Sequence, residues 1–123
     1  MSEFRVNTYQ NNWQREPHIT TFKDGSFLVV YESYVNEYDD GPSATVVVSQ
    51  RFGADGRRVG GETIVSGIDG TKSDDARVAT LTDGGYVVVW SYDNYDDILA
   101  TRDKTYARVY NADGTPRTSA IRV

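Results

Sequence analysis

The fold is decided by one stretch of sequence that occurs twice. Residues 19–31, ITTFKDGSFLVVY, return 59 positions later as residues 78–90, VATLTDGGYVVVW. Apolar positions stay apolar and the Asp-Gly pair keeps its place. A second block, residues 50–56, QRFGADG, returns 58 positions later as residues 108–114, RVYNADG. Self-similarity at one period indicates a repeat protein, so we predict two diverged copies of one unit.

Each copy has the pattern of strands connected by tight hairpins. Runs rich in Val, Thr, Tyr and Phe are separated by Asp-Gly pairs, in which Gly accepts a positive φ and Asp caps its own turn. The predicted strands span residues 18–23, 26–34, 44–52 and 58–65 in copy one and residues 77–82, 85–92, 103–110 and 116–123 in copy two. A ninth strand is predicted at residues 3–8, because EFRV at 3–6 matches AIRV at 120–123 and, more loosely, ETIV at 62–65.

The predicted architecture is all-β, in a single domain over residues 1–123. Repeat one covers about residues 16–66 and repeat two about residues 75–123, each a four-stranded antiparallel unit. Turn signals at this spacing are typical of sandwiches, barrels and propellers.

Composition excludes several functions. The formal net charge is −5 and no cluster of Lys or Arg offsets it, which argues against nucleic acid as a partner. There is no cysteine, so no disulfide or thiolate site can form. The first residues lack the apolar run of a signal peptide, and no stretch approaches the roughly 20 apolar residues of a membrane span. We therefore expect no membrane insertion.

Catalytic motifs are missing as well. His18 is the only histidine, and a triad or a zinc site would need further partners that no motif supplies. No G-x-S-x-G, H-E-x-x-H or phosphate-loop pattern occurs. We predict that the protein is not an enzyme, and a hydrolase is only the third functional hypothesis.

Acidic, tyrosine-rich loops follow the second strand of each copy. Calcium needs six to eight oxygen ligands, and carboxylates at these positions could contribute to a weak site. The candidate ligands are Glu37, Asp39 and Asp40 in copy one and Asp93, Asp96 and Asp97 in copy two. Neither loop has the EF-hand spacing. A solvated acidic turn is the competing interpretation, so calcium is the one cofactor that the sequence suggests.

The loop before the first strand has the composition of a carbohydrate site. Sugars are held by an aromatic face and by charged or amide side chains that bind adjacent hydroxyls. Residues 9–16, YQNNWQRE, offer that mixture, and the candidates for glycan contact are Asn12, Trp13, Arg15 and Glu16. Copy two has no aromatic residue there. In the alternative interpretation, Trp13 simply packs against a neighbouring sheet.

The elements EFRVNT at 3–8, QREP at 14–17, LTDGGYVVVW at 81–90 and RFGADG at 51–56 together resemble a repeat of very large bacterial surface and secreted proteins. The resemblance implies β-propeller-like blades, a secreted or cell-surface location and a role in adhesion. Two blades cannot close a ring, since propellers have about four to eight, and self-association of two to four chains would complete one. The alternatives are a nine-stranded β-sandwich that needs no partner and a fragment of a longer array. The leading hypothesis is a non-enzymatic, lectin-like binding module that assembles with itself. The runner-up is a structural or calcium-stabilised repeat of a large bacterial surface protein.

Overall fold

The computed structural model describes residues 3–8, 13–36, 43–66, 72–93 and 104–123. Its regular structure consists of eight strands, β1 (Gln14–Thr21), β2 (Phe27–Asn36), β3 (Ser43–Phe52), β4 (Arg58–Ile64), β5 (Lys72–Thr80), β6 (Tyr86–Asp93), β7 (Lys104–Tyr110) and β8 (Ile121–Arg122). These ranges contain no helix, and therefore none that could cross a membrane.

The strands form the two four-stranded antiparallel units that the repeat predicts. Unit one consists of β1 to β4 and unit two of β5 to β8, and consecutive strands of each unit pair antiparallel. One parallel backbone bridge, between Thr45 and Lys72, connects the units, and the described strands do not close into a ring. The all-β prediction is therefore confirmed.

Four equivalent turns close the hairpins as the Asp-Gly pairs predict. In the first, Gly25 has φ 85° and donates a 3.0 Å hydrogen bond to the carbonyl of Phe22. Asp24 Oδ1 accepts the backbone N–H of Ser26 at 2.9 Å. Positive φ is available to glycine at little cost, which is why each turn has Gly after Asp.

The aspartates of these turns make the stability of the fold depend on pH. Hydrogen bonds from the hydroxyl and the N–H of Ser26 lower the pKa of Asp24 below its ordinary value of 3.8, and Thr115 has the same effect on the pKa of Asp113. A lowered folded-state pKa stabilises the fold above the unfolded pKa, and this contribution is lost as pH falls through the folded-state value. We expect the unfolding free energy to decrease below about pH 4.

Urea unfolding at several pH values tests this expectation, with the double variant Asp24→Ala, Asp113→Ala as the comparison. The slope of stability against pH should be smaller in the variant. An unchanged slope would assign the acid sensitivity to other carboxylates.

The first strand of each unit contains a bulge that the sequence pattern did not reveal. Glu16 has φ 52° and its counterpart Asp75 has φ 51°, and the strand register shifts at both places. A bulge adds one residue and interrupts the alternation of a strand. For this reason β1 and β5 begin at residues 14 and 72, four and five residues before the predicted starts.

The two ends of the chain differ most from the predicted strands. Residues 3–7 have no strand structure, although the guanidinium of Arg58 donates hydrogen bonds to the carbonyls of Arg5, Val6 and Asn7. At the other end, strand pairing covers only Ile121–Arg122, preceded by one bridge from Tyr110 to Pro116.

Each unit has two faces, and one face of each packs against the other unit. We call these the inner faces. Their side chains form one shared core, which includes Leu28, Val30, Val47 and Val65 of unit one and Val78, Tyr86, Val88, Trp90 and Tyr110 of unit two. Tyr86 and Tyr110 stack with ring centroids 4.9 Å apart, and burial raises the pKa of Tyr86 to about 12. The opposite surfaces are the outer faces, and that of unit one carries Val29, Tyr31, Val46, Val48 and Phe52.

Candidate functional site

Trp13 and Arg15, two of the residues predicted to contact a ligand, meet in one cluster. The Trp13 ring stacks on Tyr34 with centroids 5.3 Å apart, and the Arg15 guanidinium carbon lies 4.2 Å from the Trp13 ring centroid. A backbone hydrogen bond of 3.1 Å from Tyr34 N–H to the Trp13 carbonyl fixes the spacing. Trp13 is nevertheless 39% exposed, so the cluster presents an ordered aromatic surface to solvent. We call it the Trp13 cluster.

A buried carboxylate holds Arg15 in this arrangement. Glu32 lies in β2, opposite Arg15, and its Oε2 accepts a 2.9 Å hydrogen bond from Arg15 Nε. Its Oε1 accepts the backbone N–H of Asp75, also at 2.9 Å. Hydrogen bonds to charged groups are stronger than neutral ones. Glu32 therefore ties the Trp13 cluster to unit two, while half of the Arg15 side chain stays exposed.

The cluster has no counterpart in unit two. With the repeat spacing of 59, position 13 corresponds to Lys72, position 15 to Asp74, position 32 to Ser91 and position 34 to Asp93. An aromatic pair with an arginine is replaced by lysine and two aspartates. Among the described residues, unit two therefore has no equivalent of the Trp13 cluster.

The other two glycan-contact candidates lie apart from it. Asn12 is outside the described residues. Glu16 is exposed and occupies the β1 bulge. Glu16 therefore lies beside the Trp13 cluster in sequence without being part of it.

Sequence reasoning missed Tyr34 and Glu32, which complete the cluster. Both could have been found by pairing the strands on either side of the turn at Asp24. Trp13 and Tyr34 are nearly equidistant from that turn, as are Arg15 and Glu32. The β1 bulge shifts the pairing by one residue, and a one-residue slip would have placed the wrong side chains opposite each other.

The calcium prediction stays a prediction. Glu37, Asp39, Asp40, Asp96 and Asp97 lie outside the described residues, and Asp93 ends β6 with a side chain that is also outside them. Among the residues that are described, no group of three or more His, Asp or Glu side chains is placed to hold a metal ion.

His18 has a structural contact between the units. Its Nδ1 accepts a long hydrogen bond of 3.4 Å from the backbone N–H of Val78. Tyr31 of β2 and Trp90 of β6 occupy the same repeat position, and both are buried in cores.

We compared the chain with models of protein families, with curated proteins and with solved structures, and found no match. The resemblance to bacterial surface repeats therefore stays a prediction based on the motifs themselves.

Proposed function

We propose that the protein is a non-enzymatic binding module that recognises glycans through the Trp13 cluster. The observation that carries this proposal is an exposed tryptophan held in one orientation by Tyr34 and Arg15. An ordered aromatic side chain loses little conformational entropy when it binds. Its apolar surface suits the C–H face of a sugar, and the exposed part of Arg15 can donate to adjacent hydroxyls.

The fold supports a role in which the two units act as propeller-type blades. They are four-stranded and antiparallel, and they pack face to face through a mainly apolar core. Ligand-binding sites are common at the interfaces between packed units. The Trp13 cluster lies at a joint of this kind, because Glu32 connects its arginine to Asp75 of unit two.

A glycan array tests the proposal, followed by fluorescence titration with the glycan that gives the strongest saturable signal. Trp13 and Trp90 are the only tryptophans, and Trp90 is buried, so a change in emission on binding reports on Trp13. The variant Trp13→Ala lacks this reporter, so its binding is measured by isothermal titration calorimetry, and we expect it to be weaker by about 10-fold or more.

The matched control is Phe4→Ala, which removes another exposed aromatic side chain, one whose ring contacts Phe52 of the outer face of unit one. It should leave the titration unchanged. An array without a saturable signal, or one that Trp13→Ala does not alter, would contradict the proposal and favour a purely structural repeat.

A further inference from the structure

The two units use different faces to contact each other. Leu28 and Val30 of unit one are buried against unit two. At the repeat spacing their counterparts are Val87 and Val89. These alternate with the inner residues of β6 and therefore point to the outer face of unit two. The face that unit one turns inward is thus the face that unit two turns outward.

The reverse holds for the other half of the joint. Val88 and Trp90 of unit two are buried against unit one, and their counterparts Val29 and Tyr31 belong to the outer face of unit one. The contact is therefore head to tail. Each outer face corresponds by repeat position to a surface that is already buried in the joint within the chain.

Most of the outer face of unit one is buried in the single chain, but at its β1 edge equivalent residues of the two units differ in exposure. Val78 of β5 is 6% exposed in the joint, whereas its counterpart Ile19 of β1 is 55% exposed. Val78 pairs with Val88 of β6, and Ile19 pairs with the equivalent residue of β2, Val29. Ile19 thus occupies a position whose equivalent is covered by a neighbouring unit.

The same comparison applies to the outer face of unit two. The N–H of Val65 donates a 2.8 Å hydrogen bond to the carbonyl of Val47, and the N–H of Val123 donates a 2.9 Å hydrogen bond to the carbonyl of Thr105. These two backbone contacts are equivalent at a spacing of 58. Yet Val65 is 1% exposed, because unit two covers it, and Val123 is 80% exposed.

We propose that a second copy of this chain covers these surfaces, with the outer face of unit two of one copy docked on the outer face of unit one of the next. The joint within the chain is the template for the contact between chains. A contact between two different faces continues from copy to copy and generates a ring or an open filament. This proposal depends on the packing of the units and is independent of glycan binding.

Residues 3–8 occupy part of the docking surface in the single chain. Val6 packs on the outer core of unit one, as Val65 of the same motif packs on the inner face of unit two. The fit is incomplete, since a cavity of about 140 Å³ remains between Val6, Pro17, Val29 and Tyr31. Docking of a second copy displaces residues 3–8 from this surface. Weakening the attachment of residues 3–8 to unit one should therefore favour association.

Two charge substitutions on exposed apolar residues test the proposal. Ile19→Glu blocks the outer face of unit one and Val123→Glu blocks that of unit two, because their counterparts in the joint, Val78 and Val65, are only 6% and 1% exposed. Light scattering and sedimentation of the whole chain between about 10 µM and 1 mM measure association. Each variant alone should associate about 100-fold more weakly than the unmodified chain, because its new carboxylate would be buried without a partner.

Mixing the two blocked variants gives the decisive result. One copy then has an intact unit-one face and the other an intact unit-two face, so the mixture should form a complex of two chains of 13.7 kDa each. A contact between two identical faces would leave one of the variants able to associate on its own. That outcome would overturn the head-to-tail proposal, and so would a monomeric unmodified chain at every concentration.

Two further variants complete the experiment. Val59→Glu places the same charge on an equally exposed valine that pairs with Arg51, away from both outer faces, and should associate like the unmodified chain. Arg58→Ala removes the hydrogen bonds from Arg58 to the carbonyls of residues 5–7 and should strengthen association by about 3- to 10-fold. Weaker association of Arg58→Ala would show that docking does not displace residues 3–8.

Discussion

Replacing Trp90 with alanine is expected to lower the free energy of unfolding by about 3–5 kcal/mol. Trp90 is buried between the two units, and its ring stacks on Tyr106 with centroids 6.2 Å apart. Its removal leaves a cavity lined by side chains of both units, which are held in place by separate strands and cannot readily collapse. The loss should therefore be near the upper end of the range for large-to-small substitutions in cores.

Urea unfolding followed by circular dichroism measures this loss. The matched control is Trp13→Ala, which removes the same side chain at a partly exposed site and should cost about 1 kcal/mol. Trp90→Phe keeps an aromatic ring in the core and should fall between the two. Equal effects of Trp90→Ala and Trp13→Ala would contradict the assignment of Trp90 to the core between the units.

The second large effect is expected at Glu32. Truncation to alanine removes both hydrogen bonds of a buried carboxylate, leaving the Asp75 N–H and the Arg15 guanidinium without this partner. We expect a loss of about 2–4 kcal/mol in unfolding free energy. The Trp13 cluster should also loosen, because Arg15 is then free to leave the indole ring.

Two comparisons separate the contributions of this carboxylate. Glu32→Gln keeps one acceptor oxygen and should lose about 1 kcal/mol. Arg15→Ala removes only the partly exposed side of the pair and should cost about 1 kcal/mol or less. Thermal and urea unfolding provide the values, and Trp13 fluorescence reports on the cluster. A Glu32→Ala variant as stable as Arg15→Ala would show that the bond to Asp75 contributes nothing.

Local signals in the sequence were sufficient for the central strands of each unit and for the turns. The Asp-Gly pairs at residues 24–25 and 83–84 have one main physical use between two apolar runs, so their turns were predictable. The bulges at Glu16 and Asp75 were not, since each is stabilised by pairing with a strand across the turn and has no sequence pattern of its own.

The candidate site was predictable only in part, for a related reason. Trp13 and Arg15 stood out as an aromatic residue and a cation in one polar loop. Their partners Tyr34 and Glu32 come from another strand, and the bulge in β1 decides which residues are opposite each other. A pattern along one strand contains no information about that register.

The sequence by itself determined that the chain is all-β and built from two copies of one unit, because hydrophobic alternation and turn chemistry act within a few residues. Only the tertiary structure decided which face of each unit is buried. The runs at residues 28–30 and 87–89 are apolar on both sides, so alternation could not distinguish an inner from an outer face. The choice follows from how two whole sheets pack, with Leu28 and Val30 inward in unit one and Val88 and Trp90 inward in unit two.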